Sequence, residues 1–271
     1  MRSLFCCVLI LLSLNSYSLE IEGEFYIGEG ANQVTVMGTS DFSRVQPVFA
    51  GFVSAEPSAR VRYLQMSSRE IDAAVRAELS PDIDLVMSSA VDLQVRLVND
   101  GYARAFESSL VVDFGWRGEL VQLSLEPIVT IFNQSRLEDF EHVKTRRDLA
   151  QFLEQSSDEP FRLTLYDPDV SGVGYLLSRQ DLVQDEHFWS LLEVLSNQQL
   201  RPNCCSGDMI DGVISGEFDI AYNVLESYVL PRQMNAPDLK ILRFDDYQLA
   251  IPRTAFIPKQ ADDPDSANRL V

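Results

Sequence analysis

The chain reads as an α/β protein on three observations. Short apolar, strand-like runs alternate with helical periods from Val34 to Ile251. Three of the strand-like runs pass into small hydroxyl residues just before a helix begins. With 271 residues, 46% of them hydrophobic, the chain can fill one large core or two moderate ones.

The elements follow in chain order. Met1-Arg2-Ser3 precedes an apolar run from Leu4 to Leu14 and the small residues Ser16 and Ser18, so residues 1–18 are expected to be a cleavable secretory signal. That run is too short to span a membrane, and no later one is long enough. Cys6 and Cys7 lie within it, which argues against a lipid anchor. The mature chain is therefore expected to be exported and soluble. Losing Arg2 moves the formal charge from −19 to −20, an acidity that argues against nucleic acid and anionic membranes as partners.

Residues 19–32 read as a loose or edge segment, and Val34–Met37 as a strand ending in Gly38-Thr39-Ser40-Asp41. A helix from Phe42 to Val53 follows, with Val45, Val48, Phe49 and Phe52 on its apolar side and Pro47 near its start. Val61–Leu64 is a second strand, leading through Ser67-Ser68 to a helix from Arg69 to Leu79 whose start is bracketed by Ser68 and Asp72. Ile83–Met87 is a third, followed by Ser88-Ser89-Ala90-Val91-Asp92 and a helix carrying Leu93, Val95, Leu97 and Val98 as far as Gly101. Helix capping accounts for any one of these serines. A row of them along the carboxyl edge of a parallel sheet is a wall of hydroxyls and amides suited to a small polar ligand.

Trp116–Glu119 reads as a turn or helix start. Leu120–Asn133 is a long strand in which Pro127 marks a bend, read as crossing between domains. Leu149–Leu153 belongs to a helix. Within Leu163–Leu177, Leu163–Leu165 is expected to be a buried strand broken by Asp167-Pro168-Asp169. Ser171 then caps a helix that begins near Gly172 and carries Tyr175, Leu176 and Leu177 inward. A turn and helix N-terminus of this kind can cradle an anion; the alternative is an ordinary capped helix with glycines for close packing.

His187–Leu195 is an amphipathic helix, with Phe188, Leu191, Leu192 and Leu195 inward. His142 is the only other histidine, too little for a metal site. Asn203–Asp208 opens a helix with Met209, Ile210, Val213 and Ile214 on its apolar side. Phe218–Tyr222 is a strand, followed by Asn223 and a helix holding Leu225, Tyr228 and Val229. Leu239–Phe244 and Tyr247–Ile251 are strands, and Asp263-Pro264-Asp265-Ser266 enters a helix that the chain does not complete. Cys204 and Cys205 cannot staple distant elements. They form a vicinal disulfide or stay as buried thiols, and the reading favours thiols.

The order Ser88-Ser89-Ala90-Val91-Asp92-Leu93, Asp100-Gly101-Tyr102, Glu126-Pro127, Ser171-Gly172-Val173-Gly174-Tyr175, Cys204-Cys205-Ser206-Gly207-Asp208-Met209 and Tyr222-Asn223-Val224 resembles the periplasmic substrate-binding proteins of ABC transporters. The branch it is most similar to is the iron(III)-type or phosphoglycerate-type solute-binding proteins, over about Val34 to Pro258. The resemblance implies a two-lobed type II periplasmic binding protein fold with hinge-linked mixed sheets, the chain being read as truncated at its C-terminus. Lobe one would hold residues 19–125 and 247–271, and lobe two residues 126–246. It also implies an interlobe site drawn from Thr39, Ser40, Ser67, Ser88 and Ser89 on one side. Ser171, Gly172, Gly174, Asp208 and Asn223 would face them.

The expected role is periplasmic capture of a small polar, anionic solute by a monomer, without cofactor, for delivery to an ABC permease. A membrane sensor kinase is the alternative partner. Ferric iron is the alternative ligand, with Tyr222 and Tyr228 as candidate metal residues, although no Tyr-Tyr pair is present. Catalysis is not expected, because neither Ser171 nor Cys204 has a positioned base.

Overall fold

The computed structural model describes residues 19–78, 82–107, 115–137, 140–155 and 159–271. The expected signal, residues 1–18, lies outside them, as does Leu79, the expected end of the second helix.

The first half of the chain builds one lobe. Its elements are β1 (Gly23–Ile27), β2 (Asn32–Gly38), α1 (Phe42–Ala55), β3 (Ala59–Gln65), α2 (Ser68–Arg76), β4 (Leu85–Ser88), α3 (Val91–Asn99) and the short β5 (Ala103–Arg104) and β6 (Gly115–Trp116). Strand β7 (Leu120–Asn133) leads into α4 (Arg146–Gln155), β8 (Arg162–Tyr166), α5 (Gly172–Gln184), α6 (Phe188–Ser196), β9 (Gln199–Asn203), α7 (Ser206–Ser215), β10 (Ile220–Leu225), α8 (Glu226–Gln233) and β11 (Leu239–Leu242). The chain returns along β12 (Ala250–Pro258) and ends in α9 (Pro264–Leu270).

The strands run in the order β1-β3-β2-β4-β12-β7-β10-β8-β9. Parallel pairs β2–β3, β2–β4, β8–β10 and β8–β9 form the interior of each half, which places the strand-to-helix junctions on one edge, as the hydroxyl pattern predicts. The two halves meet at β7 and β12. The first part of β7 pairs antiparallel with β12, from Ala250↔Pro127 to Ala255↔Val121. From Ile128 onward it pairs with β10 and β11. Pro127 lies where one partner gives way to the next, a position that uses its inability to continue a regular ladder.

Each half packs apolar clusters on its sheet. In the first lobe Val36, Phe49, Val61 and Tyr63 fill one cluster, and Met37, Ile71, Val86 and Leu97 another. In the second lobe Ile131, Met209, Val213 and Val229 form one, and Phe140, Leu149, Leu163 and Leu195 another.

Several expected inward residues face solvent instead. Val48, Tyr175 and Ile214 are exposed because each lies at the rim of its helix's apolar arc, beyond the reach of the sheet. Trp116–Glu119 is the β6 strand and its turn rather than a helix. The C-terminal segment does complete a helix: α9 makes about two turns, capped by Asp263 accepting from Ser266 N–H at 3.0 Å, and buries Ala267 fully.

Candidate functional site

A cavity opens between the lobes at the strand-to-helix edge. From the first lobe it is lined by Thr39, Ser40, Asp41, Ser67, Ser68 and Ser89, and from the hinge by Arg253. Tyr166, Ser171, Cys204, Cys205, Ser206 and Tyr228 line it from the second lobe. The space inside is about 120 Å³.

The first-lobe wall is set by backbone geometry. The loop after β2 is held by Tyr63, whose hydroxyl donates to Ser40 O (2.7 Å) and accepts from Ser40 N–H (3.1 Å). Ser67 is the N-cap of α2, accepting from Glu70 N–H at 3.1 Å, so capping falls to Ser67 and not to Ser68. Ser68 is thereby free to reach across the cleft.

Three contacts draw the lobes together. Gly172 N–H, at the start of α5, donates to Ser68 Oγ at 3.1 Å. Asp41 N–H donates to the Tyr228 hydroxyl at 3.1 Å, and the Arg44 guanidinium lies 5.5 Å from the Tyr228 ring centre. The Asp41 carboxylate also approaches Gly207 at the start of α7: a Cβ placed there would lie 3.4 Å from Asp41 Oδ2. Burial pushes the Asp41 carboxyl above its usual range, with Arg232 and Arg44 pulling it down and Asp208 and Asp211 pushing it further up.

The glycines of the α5 turn serve these approaches. A Cβ on Gly172 would meet Ser68 Oγ at 2.5 Å and Ala90 Cβ at 3.0 Å. One on Gly174 would stand 2.6 Å from Tyr166 Cβ, so Gly174 seats α5 on β8. Ser171 caps α5 by accepting from Gly174 N–H at 3.2 Å. Two donors of the expected anion cradle are thus already engaged, and a solute using the Gly172 amide has to displace Ser68 Oγ.

On the hinge floor, Arg253 has a side chain 12% exposed and an Nη2 2.7 Å from Glu126 Oε1. Its buried Nε has no hydrogen-bond partner. Glu126 also accepts from Ser227 Oγ at 2.5 Å, which ties the crossing strand to α8. Arg253 is the one cation lining the cavity among the described residues.

The cavity gathers Thr39, Ser40, Ser67, Ser89 and Ser171, and leaves other sequence candidates outside its lining. Ser88 is buried, its hydroxyl accepting from Ala90 N–H at 3.0 Å. Gly172 and Gly174 serve lobe contact and packing. Asp208 lies one helical turn beyond the lining cysteines, 3.9 Å from Cys204 Sγ.

Asn223 points away from the cleft. It adopts φ of 59° at a bulge in β10 and donates to buried Asp181 Oδ2 at 2.6 Å. Asp181 is the hub of a network beneath α5. It also accepts from the hydroxyls of Tyr247 (2.7 Å) and Tyr222 (3.2 Å), and Arg146 Nε lies 3.5 Å away. Burial holds Asp181 above the ordinary carboxylate range, against the pull of Arg146 and these three donors.

Tyr222 is therefore a core residue and Tyr228 a wall of the cleft, so the two do not share a metal site. Cys204 and Cys205 form a disulfide where the reading favours buried thiols. Cys204 is exposed, and the adjacent sulfurs meet across extended backbone at the N-cap of α7. Sequence reading missed Arg253, Asp41 and Ser206. A lone cation inside the apolar run Ile251–Ile257 was the available signal for the first.

No protein-family model and no curated protein matches the chain. Solved structures do. The substrate-binding protein of an ABC transporter from Agrobacterium tumefaciens superposes with a TM-score of 0.87 at 26% identity, covering 92% of this chain and 77% of that one. AfuA of Actinobacillus pleuropneumoniae, a periplasmic binding protein with fructose-6-phosphate bound, gives 0.72 at 14% identity over 89% of this chain and 78% of that one. Iron-bound HitA from Pseudomonas aeruginosa gives 0.70 at 15% identity, over 89% and 79%. The last two carry the two-lobed fold alone. By its fold and its 26% identity to the Agrobacterium protein, this chain is similar to the substrate-binding proteins of ABC transporters.

Proposed function

We propose that the chain captures a small anionic solute in the interlobe cavity outside the cytoplasm and presents it to an ABC permease. The observation that carries this reading is the cavity itself: hydroxyls and helix starts from both lobes line it together with Arg253 from the hinge. Such a cleft holds a solute by many modest hydrogen bonds and lets hinge motion control entry. The proposal places residues 19–125 and 247–271 in lobe one and 126–246 in lobe two, a division supported by the switch of β7 from β12 to β10 and β11 after Pro127. Export through residues 1–18 and a monomeric state belong to the same proposal.

Binding without turnover fits the placement of the nucleophiles and bases. Ser171 is engaged as a cap, and His142 and His187 lie outside the cavity lining; His187 stands beside Asp185 at 3.2 Å. Ferric iron fits poorly, because Fe(III) selects phenolates and burial raises the pKa of both tyrosines that line the cleft, Tyr166 and Tyr228, while Tyr222 lies outside it. A sensor kinase could read the same closure, but no contact described above favours it over a permease.

The test is to purify the protein from its native host compartment, denature it, and identify the released solute by mass spectrometry. Recovery of one intact anionic metabolite, again found unaltered after prolonged incubation with fresh protein, supports the reading. Recovery of a chemically converted product overturns it.

A further inference from the structure

The Cys204–Cys205 bridge is not explained by fold stability. A disulfide stabilises mainly by closing a loop in the unfolded chain, and a bridge between neighbours closes none of consequence. Its position is distinctive instead. Both cysteines line the interlobe cavity, Cys204 is exposed, and Cys205 is the N-cap of α7 without a side-chain capping bond. A helix N-terminus lowers thiol pKa and favours thiolate. Asp208, in the first turn of α7, brings its Oδ2 to 3.9 Å from Cys204 Sγ. One donor atom from each of Cys204, Cys205 and Asp208 lies within 4.8 Å of the others. Asp41 and Asp211 add negative charge to the same region, balanced in part by Arg232 and Arg44.

We propose that this bridge is a reducible site and that its dithiol form binds a thiophilic divalent cation through Cys204, Cys205 and Asp208, in the wall of the solute cleft. This inference stands apart from the identity of the solute. Once the S–S bond opens and the sulfurs move apart, the two thiolates and Asp208 are near enough to share one ion, with bonds of about 2.3 Å to sulfur and about 2.1 Å to oxygen. Two thiolates and a carboxylate also supply the charge and softness that such an ion selects. The chemistry balances in two steps. A phosphine gives two electrons to the S–S bond, which opens to two thiols while one water supplies both protons and the oxygen of the phosphine oxide; a dithiol reductant instead passes on its own two protons and becomes a disulfide. The divalent ion then replaces the two thiol protons, which leave to solvent.

The test uses the full chain carrying Cys6→Ser and Cys7→Ser, so that Cys204 and Cys205 are the only cysteines. Protein reduced with a phosphine is titrated with Cd²⁺, and the ultraviolet thiolate-to-cadmium band is followed, with alkylation mass confirming that both thiols are free. The band should rise and saturate at one ion per chain, be absent in oxidised protein, and disappear in Cys205→Ser. Asp208→Asn should keep the band but require more Cd²⁺. No band from protein with both thiols free, or a band unchanged in Cys205→Ser, overturns the proposal. Circular dichroism of each variant separates loss of the site from loss of the fold.

Discussion

Replacing Arg146 by methionine removes the cation from a buried polar cluster of the second lobe. Arg146 is 3% exposed and Asp181 fully buried. Arg146 Nη1 donates to Asp246 Oδ1 at 2.7 Å and to Tyr247 O at 2.9 Å, and Nε donates to the Tyr222 hydroxyl at 2.9 Å. Its guanidinium also lies 3.5 Å from the Tyr247 ring centre. Met fills much of the volume but leaves the Asp181 charge buried without its counter-charge. Breaking a buried pair in this way costs about 3–5 kcal/mol. For a chain of this length each kcal/mol lowers Tm by about 2–4 °C, so the fall should be roughly 6–20 °C.

The pH dependence has a definite sign. Burial raises the folded-state pKa of Asp181 above the unfolded value, and losing Arg146 raises it further. A carboxylate with a raised folded pKa leaves the fold most stable below the unfolded value, about 3.9, and that stability is lost as pH rises through the folded pKa. The deficit of Arg146→Met in urea denaturation should therefore be largest near neutrality and shrink as pH falls toward that value. Adding Asp181→Asn should recover part of it at neutral pH. A deficit under about 1 kcal/mol, or one as large in acid as at neutrality, would refute the reasoning.

The remaining predictions concern the cleft. Gly172→Ala puts a Cβ 2.5 Å from Ser68 Oγ, 3.0 Å from Ala90 Cβ and 3.2 Å from Ser68 Cβ; rotating the Ser68 hydroxyl relieves only the first, so the α5 turn and the first lobe must give by a few tenths of an ångström. An overpacking cost of about 1–3 kcal/mol on closure corresponds to about 5- to 150-fold weaker solute binding by calorimetry, with partial rescue by Ser68→Ala; unchanged affinity would remove this contact from the bound state. Asp41→Asn takes a carboxylate away from the start of α7 and should strengthen the binding of an anion. Weaker binding in a titration would mean that Asp41 itself holds a cationic group of the solute. In Asp219, burial raises the carboxyl's pKa, but hydrogen bonds and charge from Arg162, with Arg136 nearby, outweigh it and leave it lowered. Its stabilisation should be present above about pH 3.9 and fade as pH falls through the lower folded value, so Asp219→Asn should cost stability at neutral pH and little in strong acid.

Much of the architecture was legible because local signals agreed with it. The buried strands β2 and β4 announce themselves as the apolar runs Val34–Met37 and Ile83–Met87, and Pro127 marks where β7 changes partners. Strand β9, Gln199–Asn203, was not legible: it is a polar edge strand containing Pro202 and shows no apolar alternation. The hydroxyl-lined edge was readable in outline, but which serine faces the cleft depends on capping. Ser67 takes the cap of α2 and frees Ser68, a division that the pair Ser67-Ser68 does not reveal. Asn223 follows a strand just as a cleft residue would, and only the bulge in β10 turns it toward Asp181, 42 residues away in the chain. Long-range pairings of that kind carry no local pattern.

The most direct test of the central claim is a thermal-shift screen of the wild-type protein, Arg253→Gln and Tyr228→Phe. The panel is phosphate, phosphonates, phosphorylated three-carbon acids, dicarboxylates, polyamines and ferric citrate. A solute at a hundred times its Kd stabilises by about 2.7 kcal/mol, roughly 5–11 °C for a chain of this length. The account predicts such a shift with an organic anion, lost in Arg253→Gln and kept in Tyr228→Phe. A shift with ferric citrate alone, kept in Arg253→Gln and lost in Tyr228→Phe, would contradict it.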